Sequence, residues 1–233
     1  MTPLSLSEYL AMQEANYPKQ FDMNILRMKP NFLQKIQYVL KYLKKVGAGS
    51  SRVVFSVDDA TVLKVAKNRK GLAQNQAEGL EPLQDYFVLA KVFDKDVKSL
   101  FIEMEKAEPC TIELFEQILN FTIDELAWYL DIIGHRHSLD KKGNIIPHFT
   151  KEDLDGNNEQ FLTKYFFYLH NIPWIQELLH LAQTYNYVMP GDFSAISSYG
   201  IVQRNGEPAV VMIDYGFTMD VWKKTYKGTF GYA

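Results

Sequence analysis

The sequence predicts a mixed α+β fold, and three observations carry that expectation. Short β-branched runs recur through the first half, at 53–57, 62–66 and 100–104. Apolar residues at helical spacing dominate the start of the chain and the stretch from Cys110 to Tyr185. A last pair of strands, hinged on Asn205-Gly206, follows the final helix.

Composition bounds the function. The 233 residues suffice for one sizeable domain or two small lobes. Hydrophobic residues make up 47% and charged residues 23%, ordinary values for a globular protein. A formal net charge of −3 gives no nucleic-acid footprint. The single cysteine, Cys110, excludes an internal disulfide and fits a reducing compartment. No apolar run reaches the roughly 18 residues of a membrane span, so none is expected. The N-terminus lacks a basic region followed by an apolar one, so a cytoplasmic location is expected. There is no internal repeat.

Residues 1–44 read as a helical extension. Ser5 and Glu8 have capping-box spacing. Pro30-Asn31 opens a second pattern, in which Phe32, Ile36, Val39 and Leu43 recur with Leu40 beside them, giving way to a strand near Tyr42.

The stretch that follows, Val46-Gly47-Ala48-Gly49-Ser50-Ser51-Arg52, has two readings. Lys44, Lys45 and Gly47 could simply close the helix. Alternatively, Gly47 and Gly49 form a turn between strands whose backbone N–H groups can approach phosphates.

In the strand 62–66, alternation places Val62, Lys64 and Ala66 on one face. A buried ammonium there needs an anionic partner; otherwise this is an edge strand with Lys64 in solvent. A helix is expected over 71–81, stopping before Pro82 and carrying Glu78 and Glu81. Strands are expected over 87–93 and 100–104, around a turn at 94–98.

From Cys110 the pattern turns helical. Thr122 and Glu125 form a second capping box, for a helix expected to end at Gly134. The polar segment 134–158, with His135, His137, His148 and an incomplete calcium-loop pattern from Asp153 to Gly156, reads as a surface insertion. Helices over 159–170 and 171–185 complete this half, the second opened by Asn171 and Pro173.

The stretch 187–218 carries the chemistry. Asp192 sits in a loop, and the buried strand 209–213 delivers Asp214. A hairpin with an aspartate at each open end brings two carboxylates to one mouth. That layout suits phosphoryl transfer, where one carboxylate orients a nucleophile and the other holds magnesium.

The glycine turn, strand lysine, helix glutamate, loop aspartate and Asp214-Tyr215-Gly216, in that order, resemble the protein-kinase-like superfamily over about residues 44–218. The compact form and Gly191-Asp192 also resemble small kinase-like proteins of tailed bacteriophages, which would place the chain in the host cytoplasm. The resemblance implies a two-lobed α+β fold with an N-terminal helical extension (1–44), an N-lobe (45–105) and a minimal C-lobe (106–233). It implies ATP and magnesium as cofactors.

The resemblance also implies roles. Gly47, Gly49, Ser50 and Ser51 would surround phosphates, and Lys64 would clamp them. Glu78, with Glu81 as rival, would position Lys64. Met104 would be the gatekeeper and Glu105 to Ala107 the adenine hinge, with Glu103 offering a shifted register. Asp192 would orient the acceptor hydroxyl. Asp214 would hold magnesium, with Ser198, or Ser197, in place of the usual asparagine.

There are departures. Arg52 stands at the third glycine, Pro190-Gly191 replaces His-Arg, and a serine hydroxyl is a weaker magnesium ligand than an amide carbonyl. Residues 217–233 supply little of the usual activation segment and later helices, so the chain reads as a minimal kinase or one cut short. The expected activity is phosphoryl transfer to a protein or small-molecule hydroxyl. The alternatives are a pseudokinase acting as a binding, scaffolding or inhibitory module, and an AMP transferase.

Overall fold

The computed structural model describes residues 20–185, 193–216, 218 and 221. The capping-box residues Ser5 and Glu8, the loop residue Asp192 and the stretch after Val221 lie outside the described residues. The mixed α+β architecture expected from the sequence is the one observed.

Among the described residues, two short helices lead in. Helix α1 (Met23–Met28) is capped by Asp22, whose carboxylate accepts from the Asn24 and Ile25 N–H groups. Helix α2 (Phe32–Tyr42) is capped by Asn31, which accepts from Gln34. Of the expected apolar face, Val39 and Leu43 are buried, whereas Phe32 and Leu40 are exposed. Tyr38 takes up the inner face instead.

The chain then forms β1 (Lys44–Ala48), β2 (Arg52–Ser56) and β3 (Thr61–Ala66). After α3 (Arg69–Glu78) it adds β4 (Val92–Lys95) and β5 (Phe101–Glu105). The five strands make one antiparallel sheet in the order β1-β2-β3-β5-β4. β3 is therefore an inner strand. Its Leu63 and Val65 join Phe55 and Phe101 against Leu26, Tyr38, Val39 and Leu43 in one core. The apolar stripe of α1–α2 thus covers one sheet face and leaves the Lys64 face to the rest of the molecule.

Helix α3 differs from expectation. It starts at Arg69, capped by the Asn68 side chain on Gly71 N–H, and stops at Glu78 with Gly79 as its cap. Glu81 and Pro82 instead open a 3-10 turn (Glu81–Asp85). Gly71 is required where α3 crosses the sheet: a Cβ there would lie 2.3 Å from the Ser51 carbonyl oxygen.

The expected strand over 87–93 is also shorter, beginning at Val92. Val88, Leu89 and Ala90 are buried but pair elsewhere: Val88 C=O accepts from Met212 N–H, and Ala90 N–H donates to Met212 C=O.

The second part holds β6 (Glu108–Pro109), α4 (Ile112–Leu119), α5 (Ile123–His135), β7 (His137–Leu139), β8 (Ile145–Pro147), α6 (Lys151–Leu154), α7 (Glu159–His170) and α8 (Pro173–Tyr185). The hairpin β9 (Tyr199–Arg204) and β10 (Glu207–Met212) then packs with β6 into a three-stranded sheet. Asn205 and Gly206 both have positive φ, as a two-residue hairpin turn requires. The Thr122–Glu125 capping box forms.

The helix it opens runs one residue past Gly134, and the segment beyond it carries two short strands and a short helix. β7 and β8 form a small hairpin whose turn is held by the Asp140 carboxylate, which accepts from the Lys142 and Asn144 N–H groups. Arg136 ties this segment down, donating to Asp131 and Asp153.

The large core gathers Phe115, Leu126, Tyr129, Phe166, Leu178, Leu181 and Val211 with Val88, Ile102 and Met104 from the first half. Apolar contact is therefore continuous between the five-stranded sheet and the helices. No helix among the described residues is long and apolar enough to cross a membrane.

Candidate functional site

The site lies where β2, β3, α3 and the end of β10 meet. Because β3 is an inner strand with Leu63 and Val65 turned into the α1–α2 core, Lys64 must project from the opposite face. The solvent-facing edge-strand alternative is thereby excluded. Lys64 is 7% exposed. Its ammonium stands 3.2 Å from Glu78 Oε2 and also donates to the Ile213 carbonyl. Burial lowers the Lys64 pKa from its ordinary value, Glu78 opposes this, and the nearby Arg52 charge adds to the lowering.

Glu78, the last residue of α3, is fully buried. Glu81 lies outside this cluster, in the 3-10 turn. Glu78 Oε1 accepts from the Gly216 backbone N–H at 3.1 Å, and Oε2 serves two cations. Burial pushes its carboxyl up, but Arg52 first and Lys64 second outweigh that and hold it below the ordinary carboxylate value.

Arg52 is the residue that sequence reasoning missed. It counted there only as a lost glycine. In the fold it is 6% exposed, and its guanidinium spans Glu78 Oε2 at 2.7 Å and Asp214 Oδ1 at 2.5 Å. Asn75 Oδ1 lies 3.4 Å from the same guanidinium. Burial works against the charge, but Glu78 and Asp214 more than offset it and raise the pKa. The signal available in the sequence was a charged residue opening the run Val53-Val54-Phe55, the same oddity that drew attention to Lys64.

Asp214 lies two residues past the end of β10 and keeps its side chain 56% exposed. The next two residues anchor it. Tyr215 is buried and donates its hydroxyl to the Ala90 carbonyl at 2.8 Å. Gly216 lies against α3, where a Cβ would come within 2.8 Å of the Gln74 carbonyl oxygen. Ser51 reaches the same helix, its hydroxyl donating to Gln74 Oε1. Ser198 is buried and meets the site through its backbone, its carbonyl accepting from Ile213 N–H at 2.8 Å.

The glycine turn differs in detail from expectation. Gly49 N–H donates to the Arg52 carbonyl, closing the turn, so it is not free for a ligand. The Gly49 and Ser50 carbonyls accept from the Lys67 and Asn68 side chains. Packing does not demand glycine here: a Cβ at Gly47 would make only ordinary contact with Val54, and one at Gly49 would meet nothing.

At the expected hinge, Met104 is buried at the end of β5. Glu105 N–H donates to the Lys91 carbonyl, and Lys106 N–H to that of Ala60. The Glu105 carboxylate accepts from Arg204 at 2.8 Å and from Lys91 N–H at 3.1 Å. Glu105 therefore joins the sheet to the closing hairpin. Ala107 packs against Gly200 in β9, where a Cβ would meet the Ala107 side chain at 2.5 Å. Glu103 has its carboxyl pKa raised, by burial first and Asp58 second.

Among the described residues, no group of three or more His, Cys, Asp or Glu side chains is gathered for a metal. The Asp214 carboxylate is the acidic group there with an exposed side that would be open to a magnesium ion, its Oδ1 being bonded to Arg52.

No family model matches the chain, and no curated protein matches it. Solved structures do resemble it. A streptomycin-ATP-APH(2″)-IIa ternary complex aligns at 16% identity and a TM-score of 0.29, covering 93% of this chain and 73% of the other. A gentamicin-APH(2″)-IIa complex aligns at 15% identity and the same TM-score, covering 93% and 71%. At that TM-score the site rests on its own geometry.

Proposed function

We propose that this chain is an ATP- and magnesium-dependent phosphotransferase acting on a hydroxyl acceptor. One observation carries the reading: a buried lysine from an inner strand, paired to a buried glutamate that also holds the backbone after a strand-end aspartate. That linkage orients an ammonium and a carboxylate toward one mouth, a fixed arrangement suited to polyphosphate.

In this reading Lys64 binds the α- and β-phosphates, and Glu78 positions it. Asp214 would hold magnesium, which supplies charge neutralisation on the phosphates. Asp192 would orient the acceptor hydroxyl and take its proton. Ser51 sits on the phosphate side, tied to Gln74. With Glu105 and Lys106 N–H groups occupied, Ala107 is the hinge position assigned to adenine. The acceptor in this reading is a hydroxyl on a protein or a small molecule.

A pseudokinase is the second reading. The Arg52–Asp214 contact favours it, because a guanidinium already occupies the carboxylate meant for metal.

The deciding experiment incubates the protein with γ-labelled ATP, magnesium and a panel of hydroxyl acceptors, including aminoglycosides and a host lysate. Transfer of label that is lost in Asp214→Asn supports the enzyme. Saturable ATP binding with no label transferred to any acceptor, nor to water, supports the pseudokinase.

A further inference from the structure

Arg52 is a buried, charged group that the phosphotransfer reading does not use. It opens β2 directly after the glycine turn. The register that pairs Arg52 with Ala66 and Val54 with Lys64 puts it on the same sheet face as Lys64. Its guanidinium lies between Glu78 and Asp214, and these four side chains carry two positive and two negative charges. The cluster is therefore neutral without any bound ion.

This balance has consequences for a divalent cation. Arginine does not lose its proton in proteins, so the charge on Arg52 is permanent. A magnesium ion on the Asp214 carboxylate, at its usual ~2.0–2.1 Å, would face a guanidinium already bonded to that carboxylate. The two cations repel in a partly desolvated site, where charges act more strongly than in water. A polyphosphate brought to Lys64 meets the opposite situation, because a second fixed cation waits beside the first. Guanidinium is well matched to phosphate oxygens.

We infer that the Arg52 guanidinium does at Asp214 the charge neutralisation that a metal would otherwise do, so that the site holds a nucleoside triphosphate with little dependence on divalent ions. The inference rests on the phosphotransfer reading for the location of the phosphates. It concerns binding alone and leaves magnesium its part in transfer.

The test measures ATP affinity by titration calorimetry, in magnesium and in EDTA, for the wild type, Arg52→Gln and Arg52→Lys. Removing magnesium should change wild-type affinity by less than about threefold. Arg52→Gln should lose about tenfold or more in EDTA and recover part of that loss in magnesium, because its Asp214 is free to take the ion. Arg52→Lys keeps a cation and guards against a variant that does not fold; it should fall between the two in EDTA.

The inference is overturned if wild-type affinity drops about tenfold in EDTA and both variants drop by the same factor, since Arg52 would then be only a structural tie. Absence of ATP binding by the wild type in either buffer has a different meaning. It removes the phosphotransfer reading itself, and this inference with it.

Discussion

Arg52 Nη2 lies 2.5 Å from Asp214 Oδ1, joining the second strand of the first sheet to the end of the closing hairpin. The other arm of the same guanidinium reaches Glu78 at the end of α3. One side chain thus connects three segments that are far apart in sequence, and the stability of the cluster depends on which member is removed.

Glu78→Ala should be the most damaging change in this cluster. It leaves the Arg52 and Lys64 cations buried side by side and removes the acceptor of Gly216 N–H. Breaking a buried pair from one side typically costs about 3–5 kcal/mol. Lys64→Met should cost clearly less, because Glu78 keeps Arg52. Urea unfolding should rank the two in that order; a Lys64→Met loss equal to that of Glu78→Ala would contradict the shared-carboxylate picture.

Gly216→Ala should destabilise the protein although it is a small change. The added methyl would meet the Gln74 carbonyl oxygen and Cβ at 2.8 and 2.9 Å. Forcing that much atom overlap into a packed contact costs about 1–3 kcal/mol. The melting temperature should fall accordingly, while Gly49→Ala, with nothing near its Cβ, should leave it close to wild type.

Turnover should separate the two aspartates. Asp192→Ala should retain ATP binding and lose turnover by a factor on the order of 10² to 10⁴, the range for a positioned acid–base group. Asp214→Asn should abolish label transfer at every magnesium concentration. Ser198→Ala should be nearly silent in both stability and turnover, because the structure uses the Ser198 backbone carbonyl. Turnover of Asp192→Ala at the wild-type rate would remove that residue from the reaction.

Acid should loosen the β7–β8 region before the core. Burial raises the Asp153 carboxyl, but hydrogen bonds from Thr150, Arg136 and Trp128 outweigh it, and its pKa lies below the ordinary value. The folded pKa is thus lower than the unfolded value of about 3.9, so this stabilisation is complete above about pH 5 and fades as pH falls through the folded pKa. Wild-type stability should decline over that window more steeply than that of Asp153→Asn. Parallel pH profiles for the two would show that Asp153 contributes nothing.

Local signals located much of this fold. Asn205-Gly206 marked the hairpin because few other pairs accept two positive φ angles. Thr122 with Glu125, and Asn31 ahead of α2, marked helix starts because the capping bonds are made within four residues. Lys64 stood out because an ammonium inside an apolar strand needs an explanation.

What the sequence hid is long-range. Val88, Leu89 and Ala90 look like a strand of the first sheet, yet they bond to Met212, which no local pattern reveals. Helix α3 ends at Glu78, capped by Gly79, rather than before Pro82, and it is Glu78, not Glu81, that pairs with Lys64. The importance of Arg52 depends on a carboxylate from the far end of the chain, and a comparison with glycine at that position draws attention away from its side chain.

The inner face of α3 presents Gln74, Asn75 and Glu78, all buried and all polar. Apolar side chains tolerate being exchanged for one another, whereas these groups have named partners. Glu78 Oε2 in particular answers to Arg52 and Lys64 together. A lineage that loses the acid first passes through a form with two opposed cations, the least stable intermediate available. One that neutralises Arg52 or Lys64 first keeps a matched pair throughout. The order of steps, and not only the final composition, therefore decides which sequences can be reached from this one.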